Sequence, residues 1–445
     1  MCAVVGVFDT KEATKIAYYA LFAMQHRGQE ASGISVSDGQ HIRTLKRRGL
    51  VTEVFDEEAF NILQGHMAVG HNRYSTAGSA SIWDAQPVVA SYQLGEISIV
   101  HNGNLVNKNE VRSRLIEEGA IFQSSMDTEN IIHLIARSQE KRLQERIVEA
   151  LKAIKGAYAL LIQSRHKMFA IRDRYGVRPL SLGKLPDGGF IVASETCAFD
   201  LVGAKFIRDV KPGEMLIFEE GKKAFKSIQL FEPDPRICAF EYIYFARPDS
   251  IIEGKNVYQV RQQMGAALAS ESPSEADVVI PVPDSGVAAA LGYAKASKIP
   301  FEMAIVRNHY VGRTFIEPTQ KMRDLKVKLK LSPMTTVLEG KRVVVIDDSI
   351  VRGTTSRQIV RMLKNAGAKE VHMKIAAPPI KHPCHYGIDT PSYEELISAN
   401  HSVDEVREYI DADSLAFLSI EALVKSIGED KKYSLVSFDG NYFIQ

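Results

Sequence analysis

The second residue of the chain is a cysteine, and this position gives it chemistry that an internal cysteine lacks. Removal of Met1 would leave Cys2 with a thiol and an α-amino group on the same carbon. An α-amino group has a pKa of about 7.7–8, so it can take a proton from the thiol directly or through a water molecule. Cys2 is therefore a candidate nucleophile that carries its own base. The alternative is a small buried hydrophobe, the usual role of an isolated cysteine.

Amide hydrolysis by such a thiol requires hydrogen-bond donors to the tetrahedral intermediate. The segment HNGN at 101–104 follows an apolar run at 97–100, which predicts a strand. The side chain of Asn102 and the backbone N–H of Gly103 are the candidate donors. Alone, an Asn-Gly pair after a strand is equally typical of a hairpin.

An amino-acid substrate also has two charged ends to be bound. Arg73, in HNRYSTAG, can bind an α-carboxylate through two parallel hydrogen bonds. Asp127, in SMDTE, can bind an α-ammonium group, or it can cap the helix predicted from Thr128.

Five segments together resemble the class II, N-terminal-nucleophile glutamine amidotransferases: MCAVVG, QHRGQE, RYST, HNG and DTE. They span nearly the whole first half of the chain. The resemblance implies a four-layer αββα N-terminal-nucleophile hydrolase fold. It also implies that Cys2 forms a glutamyl thioester and that Asn102 and Gly103 stabilise the oxyanion. The residues implied to bind glutamine are Gly28, Arg73 and Asp127.

The most specific motif is VVVIDDSIVRGTT at 343–355. An apolar strand ends in two carboxylates, and a loop rich in Gly, Ser and Thr then enters a helix. Amides and hydroxyls at a helix N-terminus suit a phosphate monoester. The carboxylates of Asp347 and Asp348 suit ribose hydroxyls or a hydrated Mg²⁺ ion. An exposed acidic turn that caps the helix is the alternative for the three residues Asp-Asp-Ser alone.

The whole motif resembles the signature of the type I phosphoribosyltransferases, which bind 5-phosphoribosyl 1-diphosphate (PRPP). The resemblance implies that Asp347 and Asp348 contact the ribose hydroxyls and one Mg²⁺ ion per subunit. Ser285, in the turn PDSG after the neighbouring strand, is expected to face the same metal and diphosphate. The implied phosphate loop consists of Ser349, Val351, Arg352, Gly353, Thr354 and Thr355.

A diphosphate leaving group needs cations, and a basic loop that closes over it would also exclude water. Basic residues follow a predicted strand at 307–330. The candidates are Arg307, Arg313, Arg323 and Lys328. A run of charge is otherwise commonly a solvated face.

The order of the predicted strands and helices that position these residues differs between the two halves of the chain. Up to about residue 230, short apolar strands cluster before the helical stretches at 12–25 and 128–154, which predicts an α+β fold with antiparallel sheet. From residue 277, strands alternate with helices, which predicts a parallel sheet with ligands at its carboxyl edge. The segment FEPDPR at 231–236 interrupts both patterns.

These patterns set the expected domain limits. A glutaminase domain is expected at 2–230, a junction at 231–260, a phosphoribosyltransferase domain of α/β parallel-sheet type at 261–390 and a helical C-terminal extension at 391–445. The segment EYIYFARPDS at 241–250 is expected to lie between the two sites.

Composition narrows the class of protein. The 445 residues include 55 Lys and Arg against 54 Asp and Glu, so no bulk charge favours nucleic acid or a membrane surface. No apolar run reaches the roughly 18 residues needed to cross a bilayer. The four cysteines are widely spread, which favours a reducing compartment, and we expect a cytoplasmic protein.

Both halves together resemble, over essentially the whole chain, the purine-synthesis family in which a class II glutaminase is fused to a phosphoribosyltransferase. The resemblance implies that ammonia from glutamine travels internally to C1 of PRPP, giving 5-phosphoribosylamine, glutamate and pyrophosphate. It also implies a homo-oligomer, a homotetramer in this family. Two alternatives stay open: another class II amidotransferase, such as a hexosamine or asparagine synthetase, and a PRPP-sensing regulator without catalysis.

Some members of that family carry an iron–sulfur cluster held by four cysteines. Cys238 and Cys384 occupy the first two places, but YSLVSF at 433–438 offers serines where a Cys-x-x-Cys would stand. Two thiols are too few for a cluster, so we predict that none is bound. Because no propeptide precedes Cys2, we expect activation to need only the removal of Met1.

Overall fold

The computed structural model describes residues 1–74, 81–308, 331–388, 392–430 and 432–444. Three of the predicted diphosphate ligands, Arg313, Arg323 and Lys328, lie outside the described residues. The two halves of the chain form separate sheets that meet across a shared core.

The first half contains two antiparallel sheets. One has the strand order β11-β9-β10-β1-β4-β2-β3 and the other β13-β12-β8-β7-β6-β5. The strands are β1 Ala3–Phe8, β2 Ala31–Ser37, β3 Ile42–Arg48, β4 Met67–Arg73, β5 Val88–Tyr92, β6 Gly95–Leu105, β7 Gly156–Gln163, β8 Lys167–Arg172, β9 Ser181–Lys184, β10 Phe190–Ala193, β11 Lys205–Asp209, β12 Glu214–Glu219 and β13 Lys226–Gln229.

Helices cover the outer face of each sheet. Those that pack on the first sheet are α1 Ala13–Ala23, α2 Val51–Val54, α3 Glu57–Ile62 and α7 Cys197–Val202. Against the second lie α5 Asp127–Arg137 and α6 Leu143–Ala153, with α4 Lys108–Glu117 beside α5. The inner faces of the two sheets bury a third apolar cluster between them. The half is therefore a four-layer αββα structure, as predicted.

Strand β1 explains where Cys2 points. All six of its residues are buried, because the strand is central in its sheet and both of its faces are covered. Side chains alternate along a strand, so Val4 and Phe8 enter the core between the sheets while Val5 faces the helices. Cys2, two residues before Val4, continues the series that faces the second sheet.

The predicted helix at 128–154 is wrong as a single element. The structure has two helices, because the chain turns at 138–142 and the second helix folds back against the first. The Arg146 guanidinium donates to the carbonyl of Glu140 at 2.6 Å, which fixes this turn. The alternative role of Asp127, as the N-cap of this helix, is not observed, since Asp127 is the first residue of α5 and Met126 stands at its N-cap.

The second half contains a parallel sheet with the strand order β17-β20-β21-β22. The junction before it contributes β14 Ile237–Cys238, a π-helix at Glu241–Phe245, β15 Ile251–Ile252 and β16 Lys255–Asn256. The remaining strands are β17 Val278–Pro281, β18 Ile305–Arg307, β19 Leu331–Pro333, β20 Arg342–Asp347, β21 Glu370–Ile375, β22 Ser414–Phe417 and β23 Tyr433–Ser434. The helices among the described residues are α8 Val257–Glu271, α9 Val287–Ser297, α10 Thr335–Leu338, α11 Thr354–Asn365, α12 Ile397–Asn400, α13 Val403–Ile410, α14 Ile420–Ile427 and α15 Val436–Asp439.

The C-terminal extension contains the expected helices and also a strand that was not expected. Strand β22 pairs with β21 as the fourth member of the parallel sheet, so this sheet continues past residue 390. Its four residues are only half-buried, as suits an edge strand, whereas five of the six residues of the central strand β20 are buried. Among the described residues, no helix is long and apolar enough to cross a bilayer.

The junction ties the two halves together. Strand β14 pairs in parallel with β23 from the far end of the chain, with Cys238 opposite Ser434. One buried cluster contains Met1 and Val177 from the first half and Tyr242 and Ile380 from the second. The domains therefore share a hydrophobic core.

Candidate active sites

Cys2 is held at three points. Its backbone N–H donates to Asn102 Oδ1 at 3.3 Å, and its carbonyl accepts from Arg27 Nε at 3.0 Å. The thiol donates to the carbonyl of Tyr74 at 3.6 Å. Cys2 is thus fixed between the start of β1 in the first sheet and the facing strand β6 of the second.

The predicted oxyanion donors lie directly across from Cys2 on β6. Asn102 is buried, and its Nδ2 amide has no hydrogen-bond partner among the residues that the structure describes. Gly103 has φ of +152°, and a Cβ atom there would lie 1.9 Å from the carbonyl oxygen of Ala157. Only glycine fits this position, so its backbone can approach a ligand closely.

Arg73 and Asp127 line the same small cavity as Cys2 and Gly103. The register between β1 and β4 explains why Arg73 lies near Cys2. Ala3 lies opposite Asn72, and in an antiparallel pair this places Cys2 beside Arg73. The Arg73 guanidinium lies 3.6 Å from the buried carboxylate of Asp84. That contact orients the arginine at the cavity wall.

Asp127 reaches the cavity from the N-terminus of α5. Its carboxylate accepts from the backbone N–H of Leu105 at 2.9 Å and lies 3.4 Å from Nδ1 of His101. Burial favours the neutral form, but His101 and the Leu105 amide outweigh it and lower the pKa of Asp127. The group is therefore a carboxylate at neutral pH, suited to a cationic ligand.

Gly28 lies behind Arg73 and is not among the described residues that line the cavity. A Cβ atom at Gly28 would lie 2.6 Å from the carbonyl carbon of Arg73. The glycine therefore lets its loop pack against the end of β4.

The acidic pair of the second half lies at the carboxyl edge of the parallel sheet. Asp347 ends β20 and accepts from the backbone N–H of Asp348 at 2.9 Å, while Asp348 accepts from the hydroxyl of Ser349 at 2.6 Å. Burial, followed by the charge of Asp348, raises the pKa of Asp347 well above its ordinary range. A cation or hydroxyl donors at this site would favour ionisation of the pair.

Two glycines shape the loops around this pair. A Cβ atom at Gly286 would lie 2.3 Å from the carbonyl oxygen of Ile346, so the turn that carries Ser285 packs against the end of β20. Gly353 precedes α11 with φ of +72°, where a Cβ atom would meet Ile397 at 2.9 Å. A tight loop results at the N-terminus of a twelve-residue helix, a position that suits a phosphate group.

These loops enclose a cavity of about 430 Å³. Arg307 does not line it, because its guanidinium pairs with Asp284, next to Ser285. Arg352 lines the cavity, but its guanidinium also binds Glu395 at 3.0 Å. The cavity brings together nine of the predicted residues: Ser285, Asp347, Asp348, Ser349, Val351, Arg352, Gly353, Thr354 and Thr355.

Aromatic side chains that no motif assigned to a site also line this cavity. Phe240, Tyr244 and Phe245 come from the junction segment, which lies between the sites as expected. Tyr74 lines this cavity and the Cys2 cavity as well. The two sites are therefore adjacent, and one side chain reaches both.

Comparison with known proteins matches the two halves to two families. A glutamine amidotransferase domain matches residues 71–200, and a phosphoribosyl transferase domain matches residues 253–398. The amidophosphoribosyltransferase of Bacillus subtilis is 50% identical over 99% of this chain and 94% of its own length. The chloroplastic amidophosphoribosyltransferase 1 of Arabidopsis thaliana is 53% identical over 99% of this chain and 78% of its own.

The chain belongs to the amidophosphoribosyltransferase family. A solved structure of glutamine PRPP amidotransferase from B. subtilis, complexed with ADP and GMP, superposes with a TM-score of 0.94. It is 49% identical and covers 100% of this chain and 98% of its own. The two-domain fold predicted from the sequence is confirmed.

The residues at the cavity of the acidic pair fit the Mg²⁺ ion that phosphoribosyltransferases use with PRPP. Asp347, Asp348 and Ser285 offer hard oxygen ligands at one edge of the sheet. Within the described ranges, no group of three or more His, Cys, Asp or Glu side chains can hold a metal ion alone. Mg²⁺ in this site would therefore take the rest of its ligands from substrate and water.

The residues at the iron–sulfur position of some amidophosphoribosyltransferases do not fit a cluster. Cys238, Cys384, Ser434 and Ser437 are all buried at the junction. The hydroxyls of both serines have no hydrogen-bond partner among the described residues, and burial raises the pKa of the Cys238 thiol to about 12. Two hydroxyls and a neutral thiol are poor ligands for iron.

Proposed function

We propose that the chain catalyses the glutamine-dependent conversion of PRPP to 5-phosphoribosylamine, with glutamate and pyrophosphate as the other products. This is the first committed step of purine synthesis. One observation carries the proposal: a thiol with an unpartnered buried amide beside it and a phosphate loop with an acidic pair lie in adjacent cavities that share Tyr74.

The first half-reaction is hydrolysis of the glutamine side-chain amide. Once Met1 is removed, the α-amine of Cys2 takes the thiol proton and remains within reach of Asn102 Oδ1, which accepts from that nitrogen at 3.3 Å. The thiolate attacks the amide carbon, and Asn102 Nδ2 and the Gly103 N–H donate to the oxyanion. Collapse with proton transfer releases ammonia and leaves a thioester. Water then hydrolyses the thioester to glutamate and restores the thiol.

The two charged groups of glutamine pair with the two side chains of opposite charge that line the cavity. Arg73 binds the α-carboxylate of glutamine, and Asp127, kept ionised by His101, binds the α-ammonium group. Gly28 supports this site from behind the end of β4, where it packs against Arg73.

In the second half-reaction ammonia attacks C1 of PRPP and pyrophosphate leaves. The loop from Ser349 to Thr355 binds the 5-phosphate at the N-terminus of α11, while Asp347 and Asp348 hold the ribose hydroxyls. Mg²⁺, when bound with PRPP, supplies positive charge to the leaving diphosphate. The aromatic wall of Phe240, Tyr244 and Phe245 limits access of water to C1.

The remaining expectations belong to the same proposal. None of the four cysteines, all of which lie within the described residues, forms a disulfide; this supports a reducing compartment, and we place the protein in the cytoplasm. The homotetramer is inferred from family resemblance, and sedimentation velocity of the purified protein tests it.

A Cys2→Ala variant separates the two half-reactions. We expect it to lose glutamine-dependent release of pyrophosphate while synthesis from added ammonium salt stays within about twofold of wild type, because the PRPP cavity is intact. Glutamate and pyrophosphate are measured with glutamine, PRPP or both. Equal loss with glutamine and with ammonia, or no pyrophosphate from the wild type, would count against the two-site proposal.

A further inference from the structure

Four fully buried charged side chains lie between the two cavities, and the proposed mechanism uses none of them. Arg27 and Arg178 carry positive charge and Glu195 and Glu241 carry negative charge, each with 0% of its side chain exposed. The charges balance, which allows the group to be buried despite the desolvation penalty.

Arg27 connects this cluster to the nucleophile. Its Nε donates to the carbonyl of Cys2 at 3.0 Å, and its Nη1 donates to Glu195 at 2.5 Å. Its Nη1 and Nη2 donate to the two carboxylate oxygens of Glu241 at 2.9 and 3.0 Å. Four of its five N–H groups are thus bound to partners on two sides, so the position of Arg27 sets the position of the Cys2 carbonyl.

Glu241 connects the same cluster to the second site. It is the first residue of the π-helix at Glu241–Phe245, whose Tyr244 and Phe245 line the cavity of the acidic pair. Buried Arg261 on α8 holds both ends of the helix, donating to the carbonyls of Tyr242 at 2.7 Å and of Ala246, just after the helix, at 2.8 Å. A displacement of this helix would therefore move Glu241.

Glu195 shows why Glu241 is not needed merely to neutralise Arg27. Glu195 belongs to the same domain as Arg27 and already binds it, and it is held by His26 at 2.8 Å and by the hydroxyl of Ser250 at 2.6 Å. Glu241 adds a two-point contact with a residue 214 positions away in the chain. Its distinct contribution is a direct two-point link from Arg27 to the π-helix, whereas Glu195 reaches the junction beyond that helix, at Arg247 and Ser250.

We propose that Glu241 is a positioning residue that couples glutamine hydrolysis at Cys2 to occupancy of the PRPP cavity. Contacts of PRPP with the wall formed by the π-helix fix Glu241, Glu241 fixes Arg27, and Arg27 fixes the Cys2 carbonyl. The inference rests on the proposed function, because it takes PRPP as the ligand of the second cavity.

The test compares Glu241→Gln with Glu214→Gln. Glu214 is a matched control because it is buried and binds Arg208 through two hydrogen bonds of 2.7 Å, remote from both cavities. Glutaminase kcat and KM are measured with and without PRPP, together with ammonia-dependent synthesis and the ratio of glutamate to pyrophosphate. The thermal midpoint reports structural damage in both variants.

We expect Glu241→Gln to reduce the stimulation of glutaminase by PRPP about tenfold or more, through kcat, and to raise the ratio of glutamate to pyrophosphate above one. Ammonia-dependent synthesis should stay within about threefold of wild type. Glu214→Gln should lower the thermal midpoint alone. Wild-type stimulation in Glu241→Gln would overturn the inference, as would an equal loss in both variants.

Two conservative variants test the same contact in case Glu241→Gln fails to fold. Glu241→Asp keeps the charge and shortens the reach, and Arg27→Lys keeps the charge but removes the two-point contact. Both should show intermediate loss of PRPP stimulation, and wild-type stimulation in both would also overturn the inference. If the wild-type protein releases no pyrophosphate with glutamine and PRPP, the proposed function itself has failed, which is a separate result.

Discussion

Replacing Asn102 with leucine removes one of the two proposed oxyanion donors and keeps the volume of the side chain. Loss of one such donor lowers kcat by about 10²- to 10³-fold, which corresponds to about 2.7–4 kcal/mol of transition-state stabilisation. The structure also predicts the effect on stability. The buried Nδ2 has no partner among the described residues, and an unsatisfied buried donor costs about 1–3 kcal/mol. The 3.3 Å contact with the Cys2 N–H contributes about 1 kcal/mol in the other direction.

Asn102→Leu should therefore lose 10²- to 10³-fold in glutamine-dependent kcat while its thermal midpoint is unchanged or higher. Ammonia-dependent synthesis should be retained. Asn107→Leu is the control, because both ends of the Asn107 amide are bound, to Ala153 at 3.1 Å and to Lys155 at 2.8 Å. It should lower the thermal midpoint and leave kcat intact. A less than tenfold loss of glutamine-dependent kcat in Asn102→Leu would refute the assignment of Nδ2 as a donor.

Three other predictions follow from the structure. Asp348→Asn should reduce synthesis from glutamine and from ammonia alike by more than about tenfold, because both routes end at PRPP; a loss confined to glutamine would contradict its placement. Burial opposes ionisation of Glu195, but His26 and Arg27 outweigh this effect and hold the pKa of Glu195 well below the ordinary 4.5. The ionised carboxylate therefore stabilises the fold above pH 4.5, and this stabilisation is lost as the pH falls. Glu195→Gln should consequently lower the thermal midpoint at pH 7 and flatten its decline below pH 4.5, and an unchanged acid profile would exclude this role. Anaerobically purified protein should contain no stoichiometric iron or sulfide, and iron that disappears in Cys384→Ser would overturn that expectation.

Short sequence patterns predicted the strands, loops and helix starts that depend on interactions between residues close together in the chain. The strand and loop around Asp347 were predictable because an apolar run, an acidic pair and a helix start of Gly, Ser and Thr residues lie within thirteen residues. The αββα layers of the first half came from its resemblance to a family, since its strands pair in an order that no short pattern encodes.

Features that depend on long-range contacts were not predictable in this way. Gly387 packs against the backbone of Gly103, with a Cβ position 3.0 Å from its carbonyl carbon, but nothing near either glycine signals the other. The same holds for Glu241 and Arg27. The role of Asp127 was ambiguous because an aspartate at the start of a helix gives the same sequence pattern whether it caps the helix or binds a ligand. Only the pairing of β6 with β7 and the packing of α5 place it beside Cys2.

Pairing of β14 with β23 has a consequence for the order in which the molecule is built. Tyr433 and Ser434 follow every strand of the parallel sheet along the chain, and they hold Ile237 and Cys238 just before the π-helix. During synthesis the glutaminase sheets are complete some 200 residues before this partner emerges. The π-helix therefore takes its final place only after the phosphoribosyl half exists. A ribosome-bound first half would carry Cys2 without Glu241, which holds Arg27 from the junction, so vectorial synthesis delays assembly of the proposed glutaminase site until the phosphoribosyl half exists.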